Sequence, residues 1–558
     1  MSVSLCNAIR YNYYYLKIMR LLFLFIITIL SVSLAKAEFP SSVRIAMLKS
    51  SNAFEDQDTN SKLKKAIQDT NKIKQLTPST SQIKQEIQDT NVKTNVIAPD
   101  TNSKKILVKD TTAHIYNMYR GLLNDDPLYN KKEPYSTPML KVFIENAALL
   151  GVDRYIFNYD FSRVGFNSWS HNIKTGWEWD NDRFAVNFFL HPFTGGNYFI
   201  AGRSSGYNYW ESIPLALEGS LMWEYFGETT LPSYNDVINT TLNGAFGGEV
   251  LYRLSSNILD DRTTGSERFG RELTAAILSP MRFFSRLIQG KVGNVASAEV
   301  YQKEPLDVVI SAGARSINSG ISVGNAALVG LLNFDFDYGD PFEKRDRKPF
   351  DYFILRMNLT FGAGRKIIDN VVGNGILYGG NLKVGNMEML AGIFQHYDLW
   401  DNKDFELGAL GFGAGIVTKI SIAKNTNLYT NLHIGVIPLA GNSTERGPDT
   451  TQVRDYYYSG GGEAKLDATL NVSGIFSATI LGYFYGLHTY VGNSGNDLIA
   501  IIKPRIEVRV FNNIGVGFEH LIYSDTRYPS GTQSSINRSS SEEKLFLTIY
   551  LADFLHNK

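Results

Sequence analysis

Beyond Leu306 the chain keeps a rhythm of two. FILRMNLTF sets Phe353, Leu355, Met357, Leu359 and Phe361 on one face against Arg356, Asn358 and Thr360 on the other. AKLDATLNV opposes Leu466, Ala468, Leu470 and Val472 to Lys465, Asp467, Thr469 and Asn471. RIEVRV alternates Ile506, Val508 and Val510 with Arg505, Glu507 and Arg509, and LYTNLHIGV sets Leu432 and Ile434 against Asn431 and His433. Side chains on a strand alternate faces, so each segment presents one apolar and one charged surface. A soluble sandwich hides the apolar face and a membrane barrel turns it outward; the period alone fits both. The segments number about 12, and single-chain bacterial barrels close with even strand counts.

The N-terminus favours the membrane. Lys17 and Arg20 precede an apolar run from Leu21 to Leu34, and Ala35-Lys36-Ala37 supplies small residues where a signal peptidase cuts. The run is shorter than the roughly 20 residues a spanning helix needs, so residues 1–37 are expected to be a signal peptide cleaved near Ala37. The single cysteine, Cys6, lies in that segment and leaves the mature chain without thiol chemistry. Lys plus Arg equals Asp plus Glu at 55 each, so no basic field points to nucleic acid. The last strand-like segment, EKLFLTIYLADF, ends on Phe554 with Tyr550 in phase, as barrels recognised by the barrel assembly machinery do. Outer-membrane lipid and that machinery are the expected partners.

Residues 38–112 are rich in Asp, Thr, Asn, Lys and Gln and repeat QDTN irregularly; too little apolar surface is present to offset ordering, which predicts a disordered linker and a periplasmic partner reached through it. In 113–189, Thr137-Pro138 before MLKVFIENAALLG predicts a short helix stopping at Gly151, and GWEW and RFAVNFF around Asp180-Asn181-Asp182 predict a hairpin. Residues 190–291 then form a helical island, with helices expected at Tyr209–Phe226, Tyr234–Leu254 and Glu267–Gln289, before a barrel in 297–558. Glu218, Glu249, Arg253, Arg271, Glu272, Arg282 and Arg286 are too many charges for lipid-facing helices, so the island is expected to pack on protein. The fold class is therefore mainly β with an α-helical insert: a C-terminal transmembrane antiparallel barrel of about 12 strands, preceded by a helical plug-like domain inside or capping it.

HPF, GNYF, AGRSSGYNYWES, GSLMWEYFGE, PSYND, GGEVLYRLS and LDD, in that order between His191 and Lys291, resemble a bacterial family known only as domain of unknown function 3943. The resemblance implies a Gram-negative cell-envelope protein and brings no established activity.

Three constellations carry candidate chemistry. GRSSG, from Gly202 to Gly206, fits the G-x-S-x-G nucleophile pattern with Ser204 as nucleophile, but that elbow needs a strand-turn-helix in a parallel sheet, which this region lacks. His191, Arg203, Glu211, Glu224 and Glu228 gather polar groups in an apolar stretch, suited to acid–base work or to pinning a plug by ion pairs. His396-Tyr397-Asp398, Asp401 and His433 offer ligand atoms without metal-motif spacing, and are expected to be strand-end residues at the membrane edge. Arg356, Lys465, Asp467, Arg505, Glu507 and Arg509 are expected to face the lumen. No metal or cofactor is implied. Three functions stay open: a structural or restricted-passage outer-membrane barrel, an envelope lipid-modifying enzyme (acyl hydrolase or transferase) built on the island's polar cluster, and a periplasm-facing interaction module.

Overall fold

The structure, a computed structural model, describes residues 131–319, 327–362, 366–402, 405–443, 456–511, 513–531 and 534–552. The expected signal peptide, the linker and Phe554 lie outside these residues.

Twelve antiparallel strands form one closed barrel: β1 (Leu306–Ser319), β2 (Ala327–Tyr338), β3 (Phe353–Phe361), β4 (Ile368–Val384), β5 (Met387–Asp401), β6 (Glu406–Ala423), β7 (Thr426–Ser443), β8 (Tyr457–Val472), β9 (Phe476–Val491), β10 (Gly495–Phe511), β11 (Ile514–Pro529) and β12 (Ile536–Ala552). Each strand pairs with the next, and β12 closes on β1. At one end tight turns join β4 to β5, β6 to β7 and β8 to β9, and Gly385, Asn425 and Ser473 supply the left-handed φ such turns require.

Which face is the lumen follows from contacts between strands that are not neighbours, because only inward side chains converge. Lys465 on β8 reaches Asp398 on β5 at 2.6 Å, Arg505 on β10 reaches Asp335 on β2 at 3.2 Å, and Arg315 on β1 reaches Asp369 on β4 at 2.9 Å. The opposite parity carries exposed Ile434, Val436, Phe484, Ile506, Leu545 and Leu547. The barrel is thus polar inside and apolar outside. Twelve strands enclose more room than the eight whose side chains fill a small barrel, and here large residues occupy it. Towards the end opposite the tight turns, Trp400, Leu487, Ile501, Tyr483 and Tyr485 form one buried cluster, and Phe405 stacks on Tyr523 of β11 with ring centroids 3.7 Å apart. Towards the tight-turn end, Tyr352 turns inward onto Ile376, Leu390, Phe394 and Val417.

The helical region comprises α1 (Ser136–Gly151), α2 (Phe166–Thr175), α3 (His191–Ser204), α4 (Tyr209–Phe226), α5 (Tyr234–Ile238), α6 (Gly244–Ile258), α7 (Gly265–Leu278) and α8 (Pro280–Ile288). Single π turns extend α1 to Phe157, lead into α3 from Val186, and weld α5 to α6 through Asn239–Asn243. Helix α4 opens with a reciprocal cap between Asn208 and Glu211. Three local expectations fail. Helix α1 runs past Gly151 and stops only at Asn158, which takes the left-handed conformation. No hairpin forms around Asp180-Asn181-Asp182: Glu178 makes one parallel bridge to Ser233, and residues 184–190 are helical. The expected single helix Glu267–Gln289 is broken at Ser279, where Pro280 starts α8. Helix α3 meets the α5–α6 rod backbone to backbone: a Cβ on Gly195 would lie 1.7 Å from the Thr240 carbonyl oxygen, and one on Gly248 2.7 Å from that of Gly196.

The plug expectation is corrected by the parity of the wall residues that the helices touch. Gln395 and Tyr397 of β5 lie on the outward side, in phase with exposed Ile393 and out of phase with lumenal His396 and Asp398. Gln395 accepts a hydrogen bond from Tyr209 Oη (2.7 Å) and donates to Leu242 O (2.8 Å), while Tyr397 Oη donates to Phe188 O (2.6 Å). Phe188 fills the hollow over Gly408 and Gly441, and Phe246 and Phe350 fill those over Gly373 and Gly375. The helices therefore sit on the outside of the wall, over parts of β2–β8. Their charges pair mainly among themselves, and the lumen is occupied by the barrel's own side chains.

Candidate functional site

Two buried polar clusters stand out. The first crosses the lumen. His396 Nδ1 bonds Glu463 Oε1, and His396 Nε2 meets His433 Nδ1 at 3.0 Å. His433 in turn bonds the Asn431 amide oxygen. Lys465 binds Glu463 (3.0 Å) and Asp398 (2.6 Å). The chain Asn431–His433–His396–Glu463–Lys465–Asp398 is buried throughout. Strand register builds it: β6 and β7 carry β5 round to β8, bringing together residues 67 positions apart in sequence. His396 and His433 are thus mid-strand lumenal residues, which corrects the strand-end expectation. Tyr397 faces the helices, and Asp401 pairs with Lys366. Among the described residues no group of His, Cys, Asp and Glu has metal-holding geometry.

The remaining lumen-candidate residues join further networks. Arg356 binds Asp337 at 2.7 Å, Arg505 binds Glu507 at 2.8 Å, Asp467 accepts from Thr469 at 3.4 Å, and Arg509 lies over the Tyr550 ring at 3.9 Å. The Arg356–Asp337 and Arg505–Glu507 pairs tie charges on the lumenal face together, and removing one partner strands the other.

The second cluster lies where the helices meet the outer wall at β8. Asp180 accepts hydrogen bonds from Asn187 (2.7 Å), Asn235 (3.0 Å) and Tyr458 Oη (2.7 Å). Glu224 accepts from the Ser233 amide at 2.7 Å. Burial pushes the Glu224 carboxyl up to about 8, with Asp180 and Asp182 adding to the effect. Glu228 and Asp236 are raised well above the carboxylate range, first by burial and then by neighbouring carboxylates. His191 Nε2 lies 3.6 Å from Asp236, and burial lowers its proton affinity. Burial thus disfavours the charged form of both partners in this contact.

The island's candidate residues do not form one site. His191 and Ser204 stand at the two ends of α3, 13 residues apart, or about 20 Å along a helix. Glu224 and Glu228 join the cluster that holds His191. At the other end Arg203 binds Glu249 at 2.7 Å beneath Tyr252, and Glu211 pairs with Lys132 at the surface. Ser204 closes a helix instead of opening one, and its buried hydroxyl has no hydrogen-bond partner. The nucleophile-elbow reading is thereby excluded. Glu463, Tyr458, Asn187 and Asp180 were not singled out from sequence; outward Gln395 and Tyr397, which interrupt the apolar parity of β5, were the available signal.

Residues 176–281 match the family model described as domain of unknown function DUF3943. The chain carries a DUF3943 domain. The matched stretch holds the acid cluster, the glycine contact of α3 with α5–α6, and the aromatics Phe188 and Phe246 that seat on the wall, so the DUF3943 domain is the part that docks. No curated protein matches the sequence. Solved structures similar to part of the chain include the NanC porin, 10% identical, covering 44% of this chain and 98% of its own, TM-score 0.24. OmpT, an outer membrane protein of Vibrio cholerae, is 8% identical with coverages of 44% and 97% and a TM-score of 0.21. The outer membrane channel DcaP of Acinetobacter baumannii is 8% identical with coverages of 44% and 96% and a TM-score of 0.20. At such scores these likenesses add nothing to the barrel closure already given by the strand register beside the DUF3943 domain.

Proposed function

We propose that the protein is an outer-membrane barrel with a structural role, its lumen sealed by its own side chains, that holds the DUF3943 domain against its outer wall. The Phe405–Tyr523 stack carries this reading, because it joins the β5–β6 connection to β11 across the lumen above Trp400 and Tyr483. The apolar outward parity and the signal expected at 1–37 support the membrane address. Beneath the stack, ion pairs between non-neighbouring strands add further links across the lumen, which supports the sealed reading. An open porin would instead line its lumen with hydrated charges.

The test is conductance in planar bilayers. Wild-type protein, folded by the criterion of heat-modifiable gel migration, should give no steady current, and Phe405→Ala combined with Trp400→Ala should introduce one. A steady ohmic current from wild type would overturn the sealed-lumen reading, and recovery of the protein in the soluble periplasmic fraction would overturn the membrane address.

A further inference from the structure

Four helices carry charged side chains inward and large apolar ones outward, beside an apolar core of residues such as Phe199, Leu215 and Val250. In α1, Lys141 and Asn146 are buried, whereas Leu140, Phe143 and Ile144 are 57%, 55% and 42% exposed along one face. Helix α4 buries Glu224 and exposes Trp210 and Leu217. Helix α7 buries Arg268 and Glu272 and exposes Phe269 and Leu273. Helix α8 buries Arg282 and Arg286 and exposes Leu287 and Ile288.

Most of the inward charges find polar partners, by ion pair or by hydrogen bond. Arg286 binds Asp261 at 2.9 Å, Arg268 binds Asp261 at 3.1 Å and Glu272 at 3.0 Å, and Arg282 donates to Ser255 and Ser256 at 2.7 Å each. In water this order is unfavourable, because the large apolar side chains stay wetted while buried ion pairs at best repay their desolvation. Against hydrocarbon the order is the stable one: apolar faces meet lipid and charges find partners within the protein. The barrel beneath shows the same polarity, and the helices rest on the very side of its wall that carries Ile434, Val436 and Leu545.

We infer that the outward faces of α1, α4, α7 and α8 lie against the acyl chains of the bilayer that surrounds the barrel, so that the helical region is a lateral, lipid-contacting module. The juxtaposition that carries this is four inverted helices seated on the lipid-facing side of a closed barrel. Among the described residues no helix is long and apolar enough to cross a membrane, so the contact is sideways and needs no spanning helix. It also reconciles the island's many charges with a membrane setting, since they point inward. The inference rests on the membrane address proposed above.

Site-specific fluorescence tests it. In the full chain with its one thiol removed by Cys6→Ser, single cysteines at Phe143→Cys, Leu287→Cys, Leu545→Cys and Asp160→Cys are labelled with an environment-sensitive dye. The labelled proteins are then folded into phosphatidylcholine vesicles. All four side chains are exposed, so the labels disturb no packing. Labels at 143 and 287 should match the one at 545, blue-shifted, quenched by brominated acyl chains and shielded from iodide, while the label at 160 is quenched by iodide. Iodide quenching at 143 and 287 as strong as at 160 would overturn the inference. So would protection from both quenchers with self-quenching between copies, the mark of a second copy on this face. If the label at 545 were itself open to iodide, the membrane address would fall first.

Discussion

Two arcs of the same wall obey the same alternation and end with opposite chemistry. On β9–β12 the outward positions are Ile480, Phe484, Leu498, Phe518 and Leu545, all left exposed. On β4–β8 the outward positions beneath the helices include Gly373, Gly375, Gln395, Gly408, Gly441 and Tyr458, whereas outward residues of the same strands beyond the helices, such as Ile434 and Val436, stay apolar and exposed. Parity fixes which side chains leave the lumen, and the medium they meet fixes what they are. Facing lipid, large aliphatic residues fill the surface; facing a helix bundle, glycines make hollows for aromatic rings and polar groups find hydrogen-bond partners.

The strongest way to break this contrast is to fill a hollow. A Cβ on Gly408 or Gly441 would lie 2.3 Å from the Phe188 ring, and Phe188 is fully buried. Gly408→Val or Gly441→Val should destabilise the helical region by about 3 kcal/mol, the upper part of the overpacking range. Gly486→Val, on the free arc with only Leu498 at 3.7 Å, should shift it by less than about 0.5 kcal/mol. Urea titration followed by circular dichroism at the helical minimum measures both, and equal losses would erase the distinction. A smaller effect is expected at Gln395→Leu, which leaves Tyr209 Oη and the Leu242 carbonyl buried without their partner. The cost should be about 1–2 kcal/mol; a gain in stability would mean that this position belongs with the lipid-facing arc.

The most diagnostic effect is a pH slope from the acid cluster beside β8. Burial raises the Glu224 carboxyl from its ordinary 4.5 to about 8, so folding takes up a proton across that interval. The resulting stability is fully present below the unfolded value and is lost as the pH climbs through the folded one. The thermal midpoint of the helical region should therefore fall between about pH 5 and 8, and Glu224→Gln should make that fall shallower, Glu228 and Asp236 supplying the remainder, while leaving the acid-side midpoint near wild type. An unchanged slope would show that Glu224 is not held in a low-dielectric site.

The barrel was legible because a two-residue period needs only local sequence, and the twelve strands and the helix Tyr209–Phe226 follow from it and from helical spacing. What covers a face is a long-range fact, and here the inference failed. From sequence, His191, Arg203, Glu211, Glu224 and Glu228 suit acid–base work or the pinning of a plug, yet Arg203 pairs with Glu249 and Glu211 with Lys132, both within the helical region and its N-terminal flank. The lumenal chain of His396, His433 and Glu463 was only half visible, since Glu463 enters through the register of two intervening strands. His191, Ser204 and Glu211 looked like neighbours because they are close in sequence, and a straight helix carries the first of them away from the others.

The ring is joined where β12 meets β1, and the helix contacts described above bear on β2–β8. The seam thus lies at the edge of the bare arc, one strand from the covered one, and the ladder that closes the ring falls on different strands from the contacts that moor the helices.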